Sequence, residues 1–251
     1  MKYINTSLLL FICICFNSIT TQGQSAVDII KKVEQTMRGN SNYSELKMTI
    51  VRPDWTREMT MKSWAKGEDY ALIQITSPAR DKGTMFLKRK NELWNWQPRI
   101  SKTIKMPPSM LTQSWMGSDF SNDDLVRQSS FIEDFEHERL ADQTIEGRDC
   151  YVVQLTPKEG VPVVWGSIKF WIDKKDYLQM KSEFYDEDEY LVSTIAFSQI
   201  KNMGGRPIPT VLTVTPAEDE ENKTIIEYLS LEFNKQYEDS FFTIQNMKRI
   251  N

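Results

Sequence analysis

The residues best suited to chemistry lie in one short segment, QSWMGSDFSNDDL, at positions 113–125. Four of its side chains offer the oxygen ligands that hard cations prefer: Asp119, Asn122, Asp123 and Asp124. An EF-hand loop that starts at Asp119 needs glycine at its sixth position and glutamate at its twelfth, but Asp124 and Ser130 occupy those positions. The spacing therefore predicts no metal site here.

Nucleophilic catalysis finds equally little support. His137 is the single histidine and lies in the charged run 133–138, which is typical of a solvated strand or helix face. Cys150 precedes an apolar run and is predicted to be a small buried residue rather than a nucleophile. A carboxylate pair like that of glycosidases stays open because acidic residues fill 186–189, although that run is more typical of a hairpin turn. We predict no catalytic residues, no enzyme activity and no cofactor.

A structural role explains the 113–125 segment better. Ser121 and Asp124 have the spacing of a capping box for a short helix through Leu125 and Arg127, with Asp123 near the positive end of its dipole. Gly117 allows a sharp bend. The motif residues with this structural role are Pro107, Pro108, Gly117, Ser118, Asp119, Ser121, Asn122, Asp123 and Asp124. We predict a pinned loop, stiffened by its two prolines, that places Trp115, Met116 and Phe120 on an apolar surface.

The bulk properties indicate an exported domain. Residues 1–23 have the pattern of a secretory signal peptide, with Lys2 before an apolar run that is too short to span a bilayer. Its cleavage removes Cys13 and Cys15, so core burial must hold the single domain predicted at 24–251. The formal net charge is −4 and the basic residues are dispersed, which argues against nucleic acid as a partner.

Periodicity predicts a mainly β fold. Apolar residues recur at helical spacing from Ser25 to Arg38, where Ser25 and Asp28 suggest a capping box and Gly39 a C-terminal stop. Afterwards the period is two, in about ten short runs separated by turn residues, which predicts an antiparallel meander. Several runs carry large apolar groups on both faces, so each face needs a cover. The helix and residues 107–127 can supply one cover, and what covers the other face is a question about function.

The Trp and Met side chains collectively favour a cavity for apolar guests of varied shape. The residues predicted to contact such a ligand are Trp64, Trp94, Trp96, Trp115, Met116, Phe120, Trp165 and Trp171.

The motifs resemble a known family. WMGSDFSNDDL at 115–125, preceded by PPSM at 107–110, is similar to the signature of bacterial LolA-like outer-membrane lipoprotein-sorting proteins. Shorter matches occur at 75–84 (ITSPARDKGT), 93–98 (LWNWQP), 164–166 (VWG), 185–188 (YDED) and 246–249 (NMKR). The resemblance implies a curved antiparallel sheet that forms a half-open, unclosed β-barrel capped by helices and loops, and no catalytic residues.

The resemblance also implies a function. It predicts a periplasmic carrier of lipoprotein or lipid acyl chains, monomeric, with an inner-membrane lipid exporter of the RND type and an outer-membrane acceptor as partners. Two alternatives remain: a periplasmic lipid sensor or exporter subunit that acts through a protein partner, and a hydrolase with an unrecognised carboxylate site.

Overall fold

The N-terminal helix is the first element of the computed structural model, which describes residues 24–90, 92–110, 112–122, 124, 130–161 and 163–250. The predicted signal peptide lies outside these residues. Helix α1 spans Ala26–Met37 and buries Ile29, Ile30 and Val33. The Ser25 hydroxyl caps it by accepting a hydrogen bond from the Asp28 amide. Gly39 follows with a positive φ of 64°, the conformation that ends a helix at least cost in glycine. The predicted helix and both end signals are confirmed.

Thirteen antiparallel strands form one sheet in the described part of the chain. Their bounds are β1 Ser41–Arg52, β2 Trp55–Lys66, β3 Tyr70–Ser77, β4 Met85–Arg89, β5 Glu92–Gln97, β6 Lys102–Lys105, β7 Phe135–Ile145, β8 Arg148–Pro157, β9 Ser167–Asp173, β10 Gln179–Tyr185, β11 Leu191–Met203, β12 Arg206–Pro216 and β13 Lys223–Phe233. Single 3₁₀ turns occur at Pro98–Ile100, Pro108–Met110 and Asp239–Phe241, and a one-turn helix, α2, at Ile244–Met247. No helix among the described residues has the length and apolar character needed to cross a membrane.

The sheet consists of two meanders joined at its centre. The strand order is β6-β5-β4-β3-β2-β1-β13-β12-β11-β10-β9-β8-β7, so β1 pairs with β13 and the edges are β6 and β7. The curved sheet is not closed into a barrel, which confirms the predicted half-open architecture. The predicted meander is correct within each half, but the chain crosses the full width of the sheet between β6 and β7.

Strand β7 was not among the strands predicted from alternation, although its charged run was predicted to be a solvated strand or helix face. Strand β7 holds the charged run around His137, and its exposed side chains leave no apolar alternation to detect. It is an edge strand, and charged side chains on an edge discourage pairing with other molecules. The observed thirteen strands therefore replace the predicted number of about ten.

Each face of the sheet has its own cover. Helix α1 and residues 113–122, which we call the motif loop, cover one face, here called the helix face. Their two apolar clusters both contact Ile195 on β11. The opposite face is covered over β2 to β5 by residues 237–250, so we call it the tail face. There Phe242 and Met247 are fully buried beside Leu72, Met85 and Leu87. The second cover is therefore the chain's own C-terminal segment, which the sequence analysis did not identify.

Candidate functional site

A tight turn shapes the motif loop. The Trp115 amide donates to the Phe120 carbonyl over 2.7 Å, and the Ser118 amide donates to the Trp115 carbonyl over 2.9 Å. Between them Met116 and Gly117 adopt positive φ angles of 54° and 82°. Two consecutive left-handed residues reverse the chain sharply, so the bend predicted at Gly117 is present and includes Met116. The buried Ser118 hydroxyl also donates to the Trp115 carbonyl, over 2.7 Å.

Asp119 ties the loop to the sheet. Its carboxylate accepts hydrogen bonds from Arg52 Nη2 over 2.9 Å and from Arg52 Nη1 over 3.2 Å. The Thr224 hydroxyl donates to the same carboxylate over 2.7 Å, and the Asp119 amide is 2.9 Å from that hydroxyl oxygen. Only 16% of the Arg52 side chain and 10% of the Asp119 side chain are exposed. Asp119 therefore works as an internal anchor between the loop, β1 and β13.

A second arginine holds the preceding turn. Arg57 Nη1 donates to the Met116 carbonyl over 3.2 Å, and Arg57 Nη2 lies 2.7 Å from Asp81 Oδ2. The loop thus rests on two guanidinium groups that project from β1 and β2. Because guanidinium is planar and permanently charged, it can hold carbonyl and carboxylate oxygens together.

The end of the loop contains the predicted capping box. The Ser121 amide donates to Asp124 Oδ2 over 2.8 Å, and the Asp124 amide donates to the Ser121 hydroxyl over 3.0 Å. Burial raises the pKa of Asp124, while hydrogen bonds from Ser121 and Trp165 oppose that rise. The Asn122 side-chain amide donates to the Met110 and Gln113 carbonyls. Asp123 and the helix predicted beyond it lie outside the described residues.

The apolar side of the loop packs on a cluster rich in methionine. Trp115 is fully buried, with its ring centroid 5.3 Å from that of Phe86. Phe120 is 8% exposed. Beneath them lie Met48, Ile50, Met59, Met61, Ile73, Ile75, Phe86, Leu93, Val214 and Ile226, with Met106 and Met116 at the margin. We call this set the methionine cluster. In the structure, the loop's own rings fill the space above it.

Trp115 has one unmet requirement. Its indole Nε1 is buried and finds no hydrogen-bond partner among the described residues. A buried donor without a partner costs about 1–3 kcal/mol. The observed position of the loop therefore combines a large apolar contact with one unfavourable burial of a polar group.

The eight predicted contact residues fall into four groups. Trp115, Met116 and Phe120 meet on the methionine cluster. The Trp165 ring centroid lies 5.0 Å from that of Phe184 in the cluster beneath α1, and Trp165 is near enough to Asp124 to lower the pKa of its carboxyl. Trp64, Trp94 and Trp96 lie on the tail face beside residues 237–250. Trp171 belongs to a separate cluster with Cys150 and Val152, and its Nε1 donates to Gln143. The structure does not bring all eight into one concavity.

The other residues considered for catalysis are held in packing or turn contacts. His137 lies on β7 with Nε2 at 2.5 Å from the Phe131 carbonyl oxygen. Cys150 is fully buried, and that burial raises the pKa of its thiol. In the run 186–189, Asp186 accepts from the amides of Asp188 and Tyr190, which closes the predicted hairpin turn. Within the described ranges, no three His, Cys, Asp or Glu side chains are placed to share a metal ion.

Sequence reasoning missed Arg52, Arg57 and Thr224. Arg52 precedes Pro53 in a turn and Arg57 sits in a polar stretch, so neither has a local pattern that separates it from other surface arginines. Their role depends on pairing across 67 positions to Asp119 and 59 positions to Met116. Periodicity carries no information about contacts at that separation.

Residues 67–249 match the model of a protein family described as "Uncharacterized protein". The chain belongs to that family. No curated protein sequence matches the chain.

Solved structures share the fold. A DUF1329 family protein from Desulfovibrio piger aligns with a TM-score of 0.80 at 24% identity, covering 88% of this chain and 97% of that one. A Vibrio parahaemolyticus domain assigned as an outer membrane lipoprotein-sorting protein gives 0.79 at 20% identity, covering 89% and 98%. A LolA superfamily protein from Nitrosomonas europaea gives 0.76 at 22% identity, covering 88% and 99%. The fold of this family member is therefore LolA-like, as its motifs predicted.

Proposed function

We propose that this protein is a periplasmic, non-enzymatic carrier that binds the acyl chains of a lipoprotein or lipid on the helix face. The motif loop acts as a lid, and Trp115 and Phe120 occupy the place of the cargo when the carrier is empty. Delivery runs from an inner-membrane lipid exporter toward an outer-membrane acceptor. The observation that carries the proposal is the buried Trp115 ring, packed on methionines, whose indole N–H has no hydrogen-bond partner in the described part of the chain.

The surface beneath the lid suits a variable guest. Met48, Met59 and Met61 are buried on it, and thioether side chains adapt to differently shaped apolar partners because they are unbranched and polarisable. When the lid lifts, the Trp115 N–H reaches water or a polar group of the cargo, which removes its burial cost. The cargo's acyl chain then replaces Trp115 and Phe120 on the methionine cluster, which limits the net free-energy cost of lifting the lid.

The expected affinity is modest. Burying a chain of ~16 carbons at ~0.8 kcal/mol per CH₂ contributes roughly 13 kcal/mol. Ordering and lost rigid-body freedom cost about 4–15 kcal/mol, and displacing the lid adds to that cost. A carrier must also release its cargo, so weak net binding fits the role.

The first test is lipid analysis of protein purified from its native compartment without detergent. Mass spectrometry should find acyl-bearing molecules at near-stoichiometric amounts. Protein that is free of lipid and that also ignores added lipoprotein would refute carriage. Stable capture of one membrane-anchored protein, with no transfer of lipid to vesicles, would instead favour the sensor.

The second test compares two buried tryptophans. Trp115→Ala removes most of the lid's plug, so a fluorescent fatty acid such as cis-parinaric acid should bind about tenfold more tightly, a difference of ~1.4 kcal/mol. Trp171→Ala is the matched control because it removes an equal ring from a different cluster. Equal effects of the two substitutions would place the ligand away from the motif loop.

A further inference from the structure

A cavity opens on the tail face, on the other side of the sheet from the motif loop. It has a volume of about 880 Å³. Small-ligand sites in proteins commonly enclose about 300–1,000 Å³. The paired positions Glu45, Lys62 and Gln74 on β1, β2 and β3 form its floor. Trp96, Lys248 and Ile250 form one wall, and Lys82 and Gly83 form another.

The cavity has an apolar body. Trp96 and Ile250 meet in the tail-face cluster, and both line the cavity. Leu229 lies at the opposite side and is 52% exposed, one of the most exposed large apolar side chains of the described residues. Leu229 is the extra residue of the β13 bulge, because Glu45 pairs with Ser230 and Leu46 with Tyr228. The bulge leaves its side chain without a cover.

The polar lining is predominantly cationic. Three lysines line the cavity, Lys62, Lys82 and Lys248, against the single carboxylate of Glu45. Glu45 is already engaged, since it accepts a hydrogen bond from the Tyr43 hydroxyl over 2.7 Å. In the described ranges none of the three ammonium groups has an ion-pair partner, and Lys248 lies 5.2 Å from the centre of the Trp96 ring. Three ammonium groups against one carboxylate give the lining a formal net charge of +2 beside its apolar walls.

The walls are held in place by hydrogen bonds. The Gln74 side-chain amide donates to the Ile250 carbonyl over 3.2 Å, which fixes the C-terminal wall to the floor. On the other side the Gly83 amide donates to the Ile75 carbonyl over 2.8 Å, and the Lys82 amide donates to the Pro78 carbonyl over 3.0 Å. Both walls therefore keep the cavity open without a ligand.

We propose that this tail-face cavity binds a single-chain amphiphilic anion, with its carboxylate or phosphate head among Lys62, Lys82 and Lys248 and its chain against Trp96, Leu229 and Ile250. Neither an anionic head nor an apolar chain alone explains the lining. An anion site does not require the exposed leucine, and an apolar cavity does not require three lysines. The site is independent of the helix face and of acyl-chain carriage there.

The test titrates four probes into the full-length protein by calorimetry: dodecanoate, dodecyl phosphate, dodecyl maltoside and dodecyltrimethylammonium, all below their micelle concentrations. The two anions should bind, with affinity that falls as salt rises. Lys62→Gln and Lys248→Gln should each weaken that binding about three- to tenfold. Lys201→Gln, an exposed lysine on β11, is the control and should change nothing.

Two further measurements complete the test. Leu229→Glu places a negative charge at the cavity mouth and should weaken both anions without disturbing the core, since Leu229 is exposed. A doxyl-labelled fatty acid should broaden the amide signals of residues 60–62, 74–76 and 248–250. Broadening confined to 114–122, equal binding of the neutral and cationic probes, or equal binding of acetate and inorganic phosphate would each overturn the proposal. A failure here leaves the helix-face carrier untouched, because the Trp115 variants test that site separately.

Discussion

Arg52 donates hydrogen bonds from both of its terminal nitrogens to the Asp119 carboxylate, and the two side chains are largely shielded from water. This pair joins the motif loop to β1. The Thr224 hydroxyl, which donates to the same carboxylate, joins the loop to β13, the strand that pairs with β1. Together with the hydrogen bond from Arg57 to the Met116 carbonyl, this ion pair fixes where the loop lies on the sheet, while Trp115 and Phe120 supply the apolar contact.

Replacing Asp119 with asparagine should loosen the loop. The change leaves Arg52 without its counter-charge in a partly buried site, so we expect the free energy of unfolding to fall by about 1–3 kcal/mol. Amides of residues 114–122 should exchange with solvent faster, measured by hydrogen exchange. The control is Lys47→Gln, which breaks the exposed ion pair of Lys47 with Glu58 and should leave the free energy of unfolding nearly unchanged because solvent screens the pair. Unchanged loop exchange in Asp119→Asn would show that the apolar contacts alone fix the loop.

Trp115→Phe and Trp171→Phe should differ in cost. Both remove the same atoms from buried rings, but Trp115 loses an N–H that has no partner among the described residues, whereas Trp171 loses an N–H that donates a hydrogen bond to Gln143. Urea denaturation should show Trp171→Phe to be the more destabilising by about 1–2 kcal/mol. Equal costs would mean that the Trp115 N–H is satisfied in solution.

The pH dependence of stability should reveal Glu34 on α1. Burial and the nearby Glu68 raise its pKa to about 7, while Arg38 acts in the opposite direction. The folded protein therefore keeps a proton that the unfolded chain releases above pH ~4.5, so this contribution is full at low pH and is lost as pH rises to 7. Between pH 5 and 7 the free energy of unfolding should fall by on the order of 1–2 kcal/mol, less than 1.36 kcal/mol per pKa unit because the group keeps some solvent contact.

Glu34→Gln is the matched control for that profile and should flatten it between pH 5 and 7. Carboxyls with lowered pKa, such as those of Asp142 and Glu183, lose their contribution only at lower pH and do not interfere. A slope that survives in Glu34→Gln would assign it to another group.

Gly166→Ala should be severely destabilising. A Cβ at this position would lie 2.1 Å from the Asp186 carbonyl oxygen, and that backbone cannot swing aside as a side chain can. Thermal denaturation should show a loss of about 3 kcal/mol or more. Gly160→Ala, with φ of 79° and nothing within 4 Å, should cost only about 1–2 kcal/mol through backbone strain. Similar losses would mean that β9 and the 186–189 turn can separate.

Local signals explain how much of this fold could be predicted. Ser25 and Gly39 bracket α1 with end chemistry that depends on neighbours a few residues away, and the Ser121–Asp124 box has the same local origin. Alternation located most of the strands because most of them have at least one buried apolar face. It failed at β7, where most side chains are exposed and Phe135 is the one that is fully buried among the described residues of the strand.

Long-range relationships explain what could not be predicted. Alternation places Trp94 and Trp96 on one face and Leu93 on the other, but it does not say which face the C-terminal segment covers. The eight predicted contact residues therefore include side chains that lie on opposite faces of the sheet. The sequence could not predict the lysines of the tail-face cavity for the same reason, since Lys62 and Lys248 come to line one cavity only in the folded chain.

The pairing of β1 with β13 dictates the order in which the molecule can assemble. Residue 42 lies opposite residue 233, so the middle of the sheet joins strands from distant ends of the sequence. Each meander can form locally, yet β1 keeps a bare hydrogen-bonding edge until the last strand arrives, and closing so long a loop is slow. During that interval the unpaired edge is an open template for a neighbouring chain. Refolding yield should therefore depend on protein concentration more steeply than the stability of the finished sheet would suggest.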